Sequence, residues 1–191
     1  MKNMTGVQLV LGGQRSGKSR QAESLAEQWL ESSQDARVVF VATAMAHDDE
    51  MQQRIERHRQ DRAERMPGVH TVEEHMALSG AISAYSAPST LMVVDCLTLW
   101  LTNWLMPVAP AQADPAAWQK EKQAFLHALS ESTGPVVVVS NEIGLGVIPM
   151  GEGVRQYVDE LGQLNQAVAR RARQVTLMVA GLPLRVTGDD A

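Results

Sequence analysis

Short apolar runs rich in β-branched residues alternate with stretches of helical periodicity along this 191-residue chain. The apolar runs cover Val7 to Leu11, Arg37 to Ala42, Leu91 to Asp95, Val136 to Ser140 and Val175 to Ala180. Continuous apolar runs of this kind are typical of strands covered on both faces. Apolar positions three and four residues apart predict helices over Lys18 to Leu30, Ala116 to Ser130 and Gly153 to Arg173. The alternation predicts an α/β fold, a mostly parallel sheet with helices on both faces.

The segments between these elements show no internal repeat and no break in composition, so one domain over residues 1–191 is expected. Pro107 to Pro115 is the best loop candidate, and Asp114 before Pro115 is typical of a helix start. The tail from Val186 to Ala191 is predicted to be frayed.

The sequence has 17 basic and 22 acidic side chains, a formal net charge of −5. This balance argues against a nucleic-acid or anionic-membrane binder, which normally carries a basic excess. Cys96 is the only cysteine, so no internal disulfide can form and a reducing compartment is expected. The most apolar run is far shorter than the roughly 20 residues of a membrane span. We therefore expect a cytoplasmic protein with no membrane span and no nucleic-acid partner.

A glycine-rich segment directly after the first apolar run matches the phosphate-binding motif G-x-x-x-x-G-K-[ST]. It consists of Gly12, Gly13, Gln14, Arg15, Ser16, Gly17, Lys18 and Ser19. In such a loop the backbone N–H groups hold phosphates, Lys18 reaches the β and γ oxygens, and the Ser19 hydroxyl ligates Mg²⁺. The alternative is an ordinary glycine-rich turn between a strand and a helix.

A second metal ligand is expected at the end of another strand. Asp95 follows four apolar residues, so it is the candidate partner of Ser19 in holding Mg²⁺ with a triphosphate. A strand-terminal aspartate can also be a simple helix cap.

Five arginines lie between Arg54 and Arg65, within a predicted helix that begins near Asp48. One interpretation is a solvated helix with Glu–Arg pairs. The other is an anion site, because guanidinium groups bind phosphate oxygens in pairs. In that case His58 lies among cations near the triphosphate, where a neutral imidazole can attack phosphorus and form a covalent intermediate.

Asn141 and Glu142 follow the Val136 to Ser140 run, where open α/β sheets place ligands. They are candidates for positioning substrate or water, or for hydrogen bonding within the loop. Trp100 and Trp104 are one helical turn apart and are expected to pack in the core or in a subunit interface.

Four segments together resemble a known family: GGQRSGKSR, DDEMQQRIERHRQDR, VVDCLTLWLTNWL and VVVVSNEIGLGVIP with the helix after it. The chain is similar to the bifunctional adenosylcobinamide kinase / adenosylcobinamide-phosphate guanylyltransferase family of cobalamin biosynthesis, in order from about residue 8 to 186. The phosphate loop is generic, whereas the histidine-bearing arginine helix and the SNEIGLGVIP segment are specific.

The resemblance implies a phosphate-loop NTPase-like (RecA-like) fold and two reactions. ATP or GTP phosphorylates adenosylcobinamide; GTP then transfers GMP to a histidine, releasing pyrophosphate, and adenosylcobinamide phosphate takes up the GMP to give adenosylcobinamide-GDP. It also implies Mg²⁺ with the nucleotide and a homotrimer.

Carried onto this chain, the resemblance places the catalytic groups at His58 and Lys18. The implied nucleotide contacts outside the phosphate loop are Ala42, Thr43, Ala44, Arg59, Gln60, Asp61, Arg62, Glu73 and Asp95. Some members have two adjacent histidines where this chain has Arg57 and His58, so His58 is the nucleophile here. Between Arg62 and Glu73 this chain is a few residues longer than other members of the family. The resemblance places the acidic contact at Glu73 rather than at Glu74.

Two other functions fit the motifs. One is a phosphate-loop kinase for a different small metabolite, with His58 structural. The other is a regulatory module that binds GTP and changes conformation.

Overall fold

A computed structural model describes residues 4–46, 49–107, 114–147 and 149–188, with only the backbone of Arg54 and His58. Within these ranges seven strands form one sheet in the order β3-β2-β4-β5-β1-β6-β7. The strands are β1 (Val7–Gly12), β2 (Arg37–Ala42), β3 (His70–Glu73), β4 (Thr90–Asp95), β5 (Val136–Val139), β6 (Ala172–Val179) and β7 (Leu182–Thr187). Neighbouring strands are parallel except β6 and β7, which form an antiparallel hairpin.

Helices connect the strands and cover the sheet. They are α1 (Lys18–Ser32), α2 (Asp49–Arg65), α3 (Leu78–Tyr85), α4 (Leu97–Leu105), α5 (Pro115–Glu131) and α6 (Glu152–Ala169). Residues of α3, α4, α5 and α6 form a core on one face of the sheet, and α1 packs on the other face. The central strands β4 and β5 are therefore buried on both sides. This burial explains why their sequences are unbroken apolar runs. The predicted α/β fold is confirmed.

The strand and helix predictions agree with the structure within one or two residues at most ends. The exceptions meet at one boundary. The helix predicted from Gly153 to Arg173 is wrong at its end, because α6 stops at Ala169, and the strand predicted from Val175 begins three residues earlier, since β6 starts at Ala172. The fraying predicted for the tail is wrong at Val186 and Thr187, which belong to β7; Thr187 pairs with Val175.

The loop and the helix start predicted around Pro115 can be compared only in part, since residues 108–113 lie outside the described ranges, as do 189–191 of the tail. Asp114 caps α5, with Oδ1 accepting from the N–H groups of Ala116 and Ala117 at 3.0 and 3.1 Å. Pro115 is the first helical residue, as predicted.

Trp100 lies in the core rather than at an interface. It is fully buried, and its ring centroid is 4.9 Å from those of both Trp118 and Phe125. Of the helices described, none is long and apolar enough to cross a membrane.

The parallel arrangement brings the carboxyl ends of β1, β2, β4 and β5 to one edge of the sheet. The phosphate loop follows β1, Ala42 ends β2, Asp95 ends β4 and Asn141 follows β5. One edge therefore carries the candidate residues from four strands.

Candidate active site

The phosphate loop joins β1 to α1 through unusual backbone conformations. Gly12, Arg15 and Gly17 have φ values of 154°, 56° and 98°. Gly17 is the N-cap of α1, and no side chain in the described part of the chain caps this helix. The first N–H groups of a helix need acceptors, and they favour negative charge. A phosphate group at this point would supply both.

The loop packs tightly on the end of β6. A Cβ built on Gly12 would lie 2.5 Å from Ser16 Oγ and 2.7 Å from Met178 O, so only glycine fits there. The N–H of Gly181, in the β6–β7 turn, donates to Ser16 O at 3.1 Å. The sheet therefore holds the loop in place from behind.

Lys18 lies over this loop. Its side chain is mostly buried, and Nζ donates to Gly13 O at 2.6 Å. The ammonium group is thus placed at the mouth of the loop, where the β and γ phosphates of a nucleotide would be.

A cavity, called here the phosphate cavity, opens in front of the loop. Its lining includes residues 14–20 of the loop and α1, Arg57 of α2, Asp95 of β4 and Asn141 after β5. A second cavity, the inner cavity, lies between α2 and the edge of the sheet. It is lined by Ser19, Ala42, Ala44, Met51, Ile55, Arg62, Glu73, Asp95, Cys96 and Leu99. Ser19 and Asp95 line both cavities, which are therefore adjacent.

Arg62 is the buried cation of the inner cavity. It is 7% exposed, and its guanidinium carbon lies 5.2 Å from the centroid of the Phe40 ring. Burial lowers the pKa of Arg62, while the carboxylates of Asp95 and Glu23 act in the opposite direction. Among the described residues its Nε has no hydrogen-bond partner. The Nε atom itself is buried, so it is an unsatisfied donor beside the inner cavity.

The arginines of α2 have different partners. Arg57 lines the phosphate cavity, Arg59 forms an ion pair with Glu73, and Arg65 binds the buried carboxylate of Glu23 at 2.6 Å. The single anion site that the arginine pattern suggests is therefore divided between two cavities and two ion pairs.

The two adjacent acidic residues after α2 differ in role. Glu73 lines the inner cavity. Glu74 instead accepts from the N–H groups of Met76 and Ala77 at 2.8 and 2.7 Å, before α3 begins. The geometry thus favours Glu73 as the ligand contact.

The segment Ala42–Thr43–Ala44 presents its alanines to the inner cavity. Thr43 is fully buried, and its Oγ1 donates to Cys96 O at 2.7 Å and accepts from Cys96 N at 2.9 Å. Its hydroxyl joins β2 to the end of β4. Its backbone is also engaged, since the N–H donates to Asp95 O at 3.2 Å and the carbonyl accepts from Asn103 Nδ2 at 2.8 Å. Thr43 therefore holds the two strand ends together, and the ligand contact implied at this residue is not supported by the structure.

Of the α2 residues that the resemblance implies, three have no described contact with the phosphate cavity or the inner cavity. The backbone of His58 lies in the middle of α2, and its side chain is outside the described part of the structure. Gln60 lines an outer groove with Gln53 and Arg57, and Asp61 lines neither of the two cavities among the described residues.

Sequence reasoning missed four residues that line the inner cavity: Met51, Ile55, Cys96 and Leu99. The signal for the first two was present, because Met51, Ile55 and Arg62 are spaced four and seven residues apart and so share one face of α2. Burial raises the pKa of the Cys96 thiol to about 11. This cysteine therefore lines the cavity as an uncharged thiol at physiological pH.

The oxygens of Ser19 and Asp95 suit a hard cation, since Mg²⁺ binds one or two protein oxygens and otherwise keeps water and phosphate ligands. The described residues include no cluster of three or more His, Cys, Asp or Glu side chains that could hold a metal by themselves. The donor set therefore fits a metal that arrives with a nucleotide.

Comparison with solved structures supports the fold. The chain matches a Pyrococcus horikoshii OT3 protein from a structural study, with a TM-score of 0.55, 10% identity and coverage of 99% of this chain and 89% of that one. It also matches the flagellar accessory protein FlaH of Methanocaldococcus jannaschii, with a TM-score of 0.54, 10% identity and coverage of 97% and 80%. These likenesses place the chain among phosphate-loop NTPase-like folds.

Comparison with characterised proteins is more specific. The chain is 45% identical over 181 residues to the bifunctional adenosylcobalamin biosynthesis protein CobP of Pseudomonas aeruginosa, covering 95% of this chain and 97% of that protein. It is 36% identical to the bifunctional adenosylcobalamin biosynthesis protein CobU of Escherichia coli K12, covering 93% and 98%. The protein of the same name from Salmonella typhimurium is 34% identical, with the same coverage. A family model described as cobinamide kinase / cobinamide phosphate guanyltransferase matches residues 8–186. The chain therefore belongs to the cobinamide kinase / cobinamide phosphate guanyltransferase family.

Proposed function

We propose that this protein phosphorylates adenosylcobinamide with ATP or GTP and then transfers GMP from GTP, through His58, to the phosphate it has added. The observation that carries the proposal is the pair of adjacent cavities at the phosphate loop. They share Ser19 and Asp95, and both are bordered by α2, the helix that bears His58.

The kinase half-reaction is assigned to the phosphate cavity. Lys18 and the uncapped start of α1 would bind the β and γ phosphates. Arg57, which also lines this cavity, would add positive charge that stabilises the transferring phosphoryl group.

The guanylyl transfer requires a nucleophile at the α-phosphorus of GTP. A neutral imidazole at His58 would attack the α-phosphorus, pyrophosphate would leave, and the phosphate of the corrinoid would then displace the histidine. Arg62 and Glu73, which line the inner cavity, would bind polar groups of the nucleotide.

Magnesium would be held by Ser19 and Asp95 together with phosphate oxygens. When bound it would neutralise charge on the phosphates.

Two labelled nucleotides test this proposal. With adenosylcobinamide, a γ-labelled nucleotide should give labelled adenosylcobinamide phosphate. GTP labelled at the α-phosphate should label the protein in an acid-labile, base-stable linkage. The variant Lys18→Ala should weaken both reactions, because they use one phosphate site.

The outcomes separate the competing functions. Phosphorylation without labelling of the protein would favour a kinase with a structural His58. GTP binding without transfer to either acceptor would favour a regulatory module.

A further inference from the structure

The segment that follows β5 is hydrogen-bonded to β1 and to the phosphate loop. Ser140 N–H donates to Val10 O at 3.0 Å, and Glu142 N–H donates to Gly12 O at 3.1 Å. These two bonds tie the segment to β1 and to the first residue of the phosphate loop. Asn141, between them, is therefore held beside the loop.

Two buried side chains hold Asn141 from the other side. Its N–H donates to Thr98 Oγ1 at 2.9 Å, and its carbonyl oxygen accepts from Asn165 Nδ2 at 3.0 Å. Thr98 is held in turn, since its carbonyl accepts from the Tyr157 hydroxyl at 2.9 Å. Both backbone polar groups of Asn141 are thus used for anchoring. Asn141 lines the phosphate cavity, so a polar contact with a ligand there falls to its side-chain amide.

We propose that the side-chain amide of Asn141 aligns the acceptor hydroxyl with the γ-phosphoryl group in the kinase step, and that Thr98 and Asn165 are positioning residues for it. The inference rests on the function proposed above. An amide has both donors and an acceptor, so its N–H can donate to a γ-phosphoryl oxygen while its oxygen accepts from the acceptor hydroxyl.

The step that it aligns is a simple displacement. The hydroxyl oxygen bonds to the γ-phosphorus, and the bond from that phosphorus to the β–γ bridging oxygen breaks. The nucleoside diphosphate leaves with the electron pair, and the hydroxyl proton passes to solvent. An amide neither gains nor loses a proton here, so Asn141 acts by orientation, on which such a transfer depends.

The groups that Asn141 is proposed to align, the acceptor hydroxyl and the γ-phosphoryl group, make its role specific to one half-reaction. It shares the phosphate cavity with Lys18 and Ser19 but does not line the inner cavity. Guanylyl transfer occurs at the α-phosphorus, away from the acceptor hydroxyl, and needs no partner at the γ position.

The test is Asn141→Ala, with kinase and protein labelling measured on the same preparation. Loss of one aligned donor in a transition state lowers kcat by about 100-fold or more, so we expect a fall of this size in kinase kcat. The KM for ATP should stay within about threefold, and labelling by α-labelled GTP should keep its stoichiometry. Gln163→Ala, an exposed position on α6, is the control with unchanged kinetics.

A second pair of variants tests the positioning residues. Thr98→Val removes the acceptor of the Asn141 N–H and should lower kinase kcat, whereas Thr98→Ser keeps the hydroxyl and should restore it. If Asn141→Ala keeps a kinase kcat within about threefold of wild type, or loses both half-reactions equally, the inference is wrong. A wild-type protein without kinase activity would instead refute the proposed function, and this inference with it.

Discussion

Gly12 marks the point where the chain leaves β1 and turns into the phosphate loop. Its φ of 154° and the closeness of Met178 O leave no room for a side chain. The loop motif shows that a glycine belongs here, but the neighbour that enforces it comes from β6, more than 160 residues later in the sequence. The need for glycine at position 12 could therefore be predicted from the sequence, whereas the close contact with β6 that causes this need could not.

The variant Gly12→Ala is expected to distort the loop, since its Cβ would lie 2.5 Å from Ser16 Oγ. We expect nucleotide affinity to fall at least about tenfold, because the N–H groups that hold phosphate would move. Equilibrium binding of a fluorescent nucleotide measures this.

Gly80→Ala is the matched control, since a Cβ at this position in α3 meets nothing within 4 Å. It should bind nucleotide normally and gain roughly 0.5–1 kcal/mol of stability from helix propensity. Equal binding by both variants would show that the packing of Gly12 is unimportant.

The arginines of α2 look alike in the sequence but have different roles in the structure. Arg57 and Arg62 line the cavities, whereas Arg65 is engaged by Glu23 of α1. All three lie in the same charged helix, and only tertiary contacts distinguish them. The pattern predicted the region of the site but not which arginine faces it.

Helices α5 and α6 are joined by a charged pair within the larger core. Lys122 Nζ lies 2.6 Å from Glu160 Oε1, which also accepts from Trp118 Nε1 at 2.9 Å. The two charged side chains are only 11% and 15% exposed. Burial alone would raise the pKa of Glu160, but the hydrogen bonds from Lys122 and Trp118 outweigh it and the pKa is lowered.

Removing the cation with Lys122→Met should destabilise the protein at pH 7 by about 1–3 kcal/mol, because it leaves a largely buried carboxylate short of a partner. Lys120→Met, at an exposed position of the same helix, is the control and should have little effect. Urea unfolding of the two variants measures the difference.

The same pair predicts a pH dependence. The folded pKa of Glu160 lies below its unfolded value near 4.3, so the pair contributes stability above that value and loses it as the pH falls through the folded pKa. The difference between the two variants should therefore shrink in acid. An unchanged difference at low pH would contradict this role of Glu160.

At the level of elements, the sequence predicts those with an unbroken apolar run or a sustained helical period, such as the four-residue β5, and misses those with neither. β3 has only four residues, two of them charged or titratable, and β7 contains Pro183 and Arg185. Both are edge strands, where pairing on one side suffices and an apolar run is not required. The helix α3, with eight residues between two strands, was missed for the same lack of a sustained period.

At the scale of the whole molecule, alternation along the chain predicts a parallel sheet but not its strand order. The order places β5 between β1 and β4, which brings Asn141 between the phosphate loop and Asp95. Strands that are neighbours in the sheet but distant in the sequence leave no local pattern from which their order could be predicted. The single-domain organisation and the homotrimer implied by family resemblance stay predictions, and so does a cytoplasmic location.

The proposed function has one chain perform two transfers, and His58 is needed for only one of them. The decisive variant is His58→Asn, with both half-reactions measured on one preparation. We expect this variant to acquire no label from GTP labelled at the α-phosphate, while it still phosphorylates adenosylcobinamide at close to the wild-type rate. Labelling that persists in His58→Asn, or an equal loss of both activities in a folded variant, would refute the proposed role of His58.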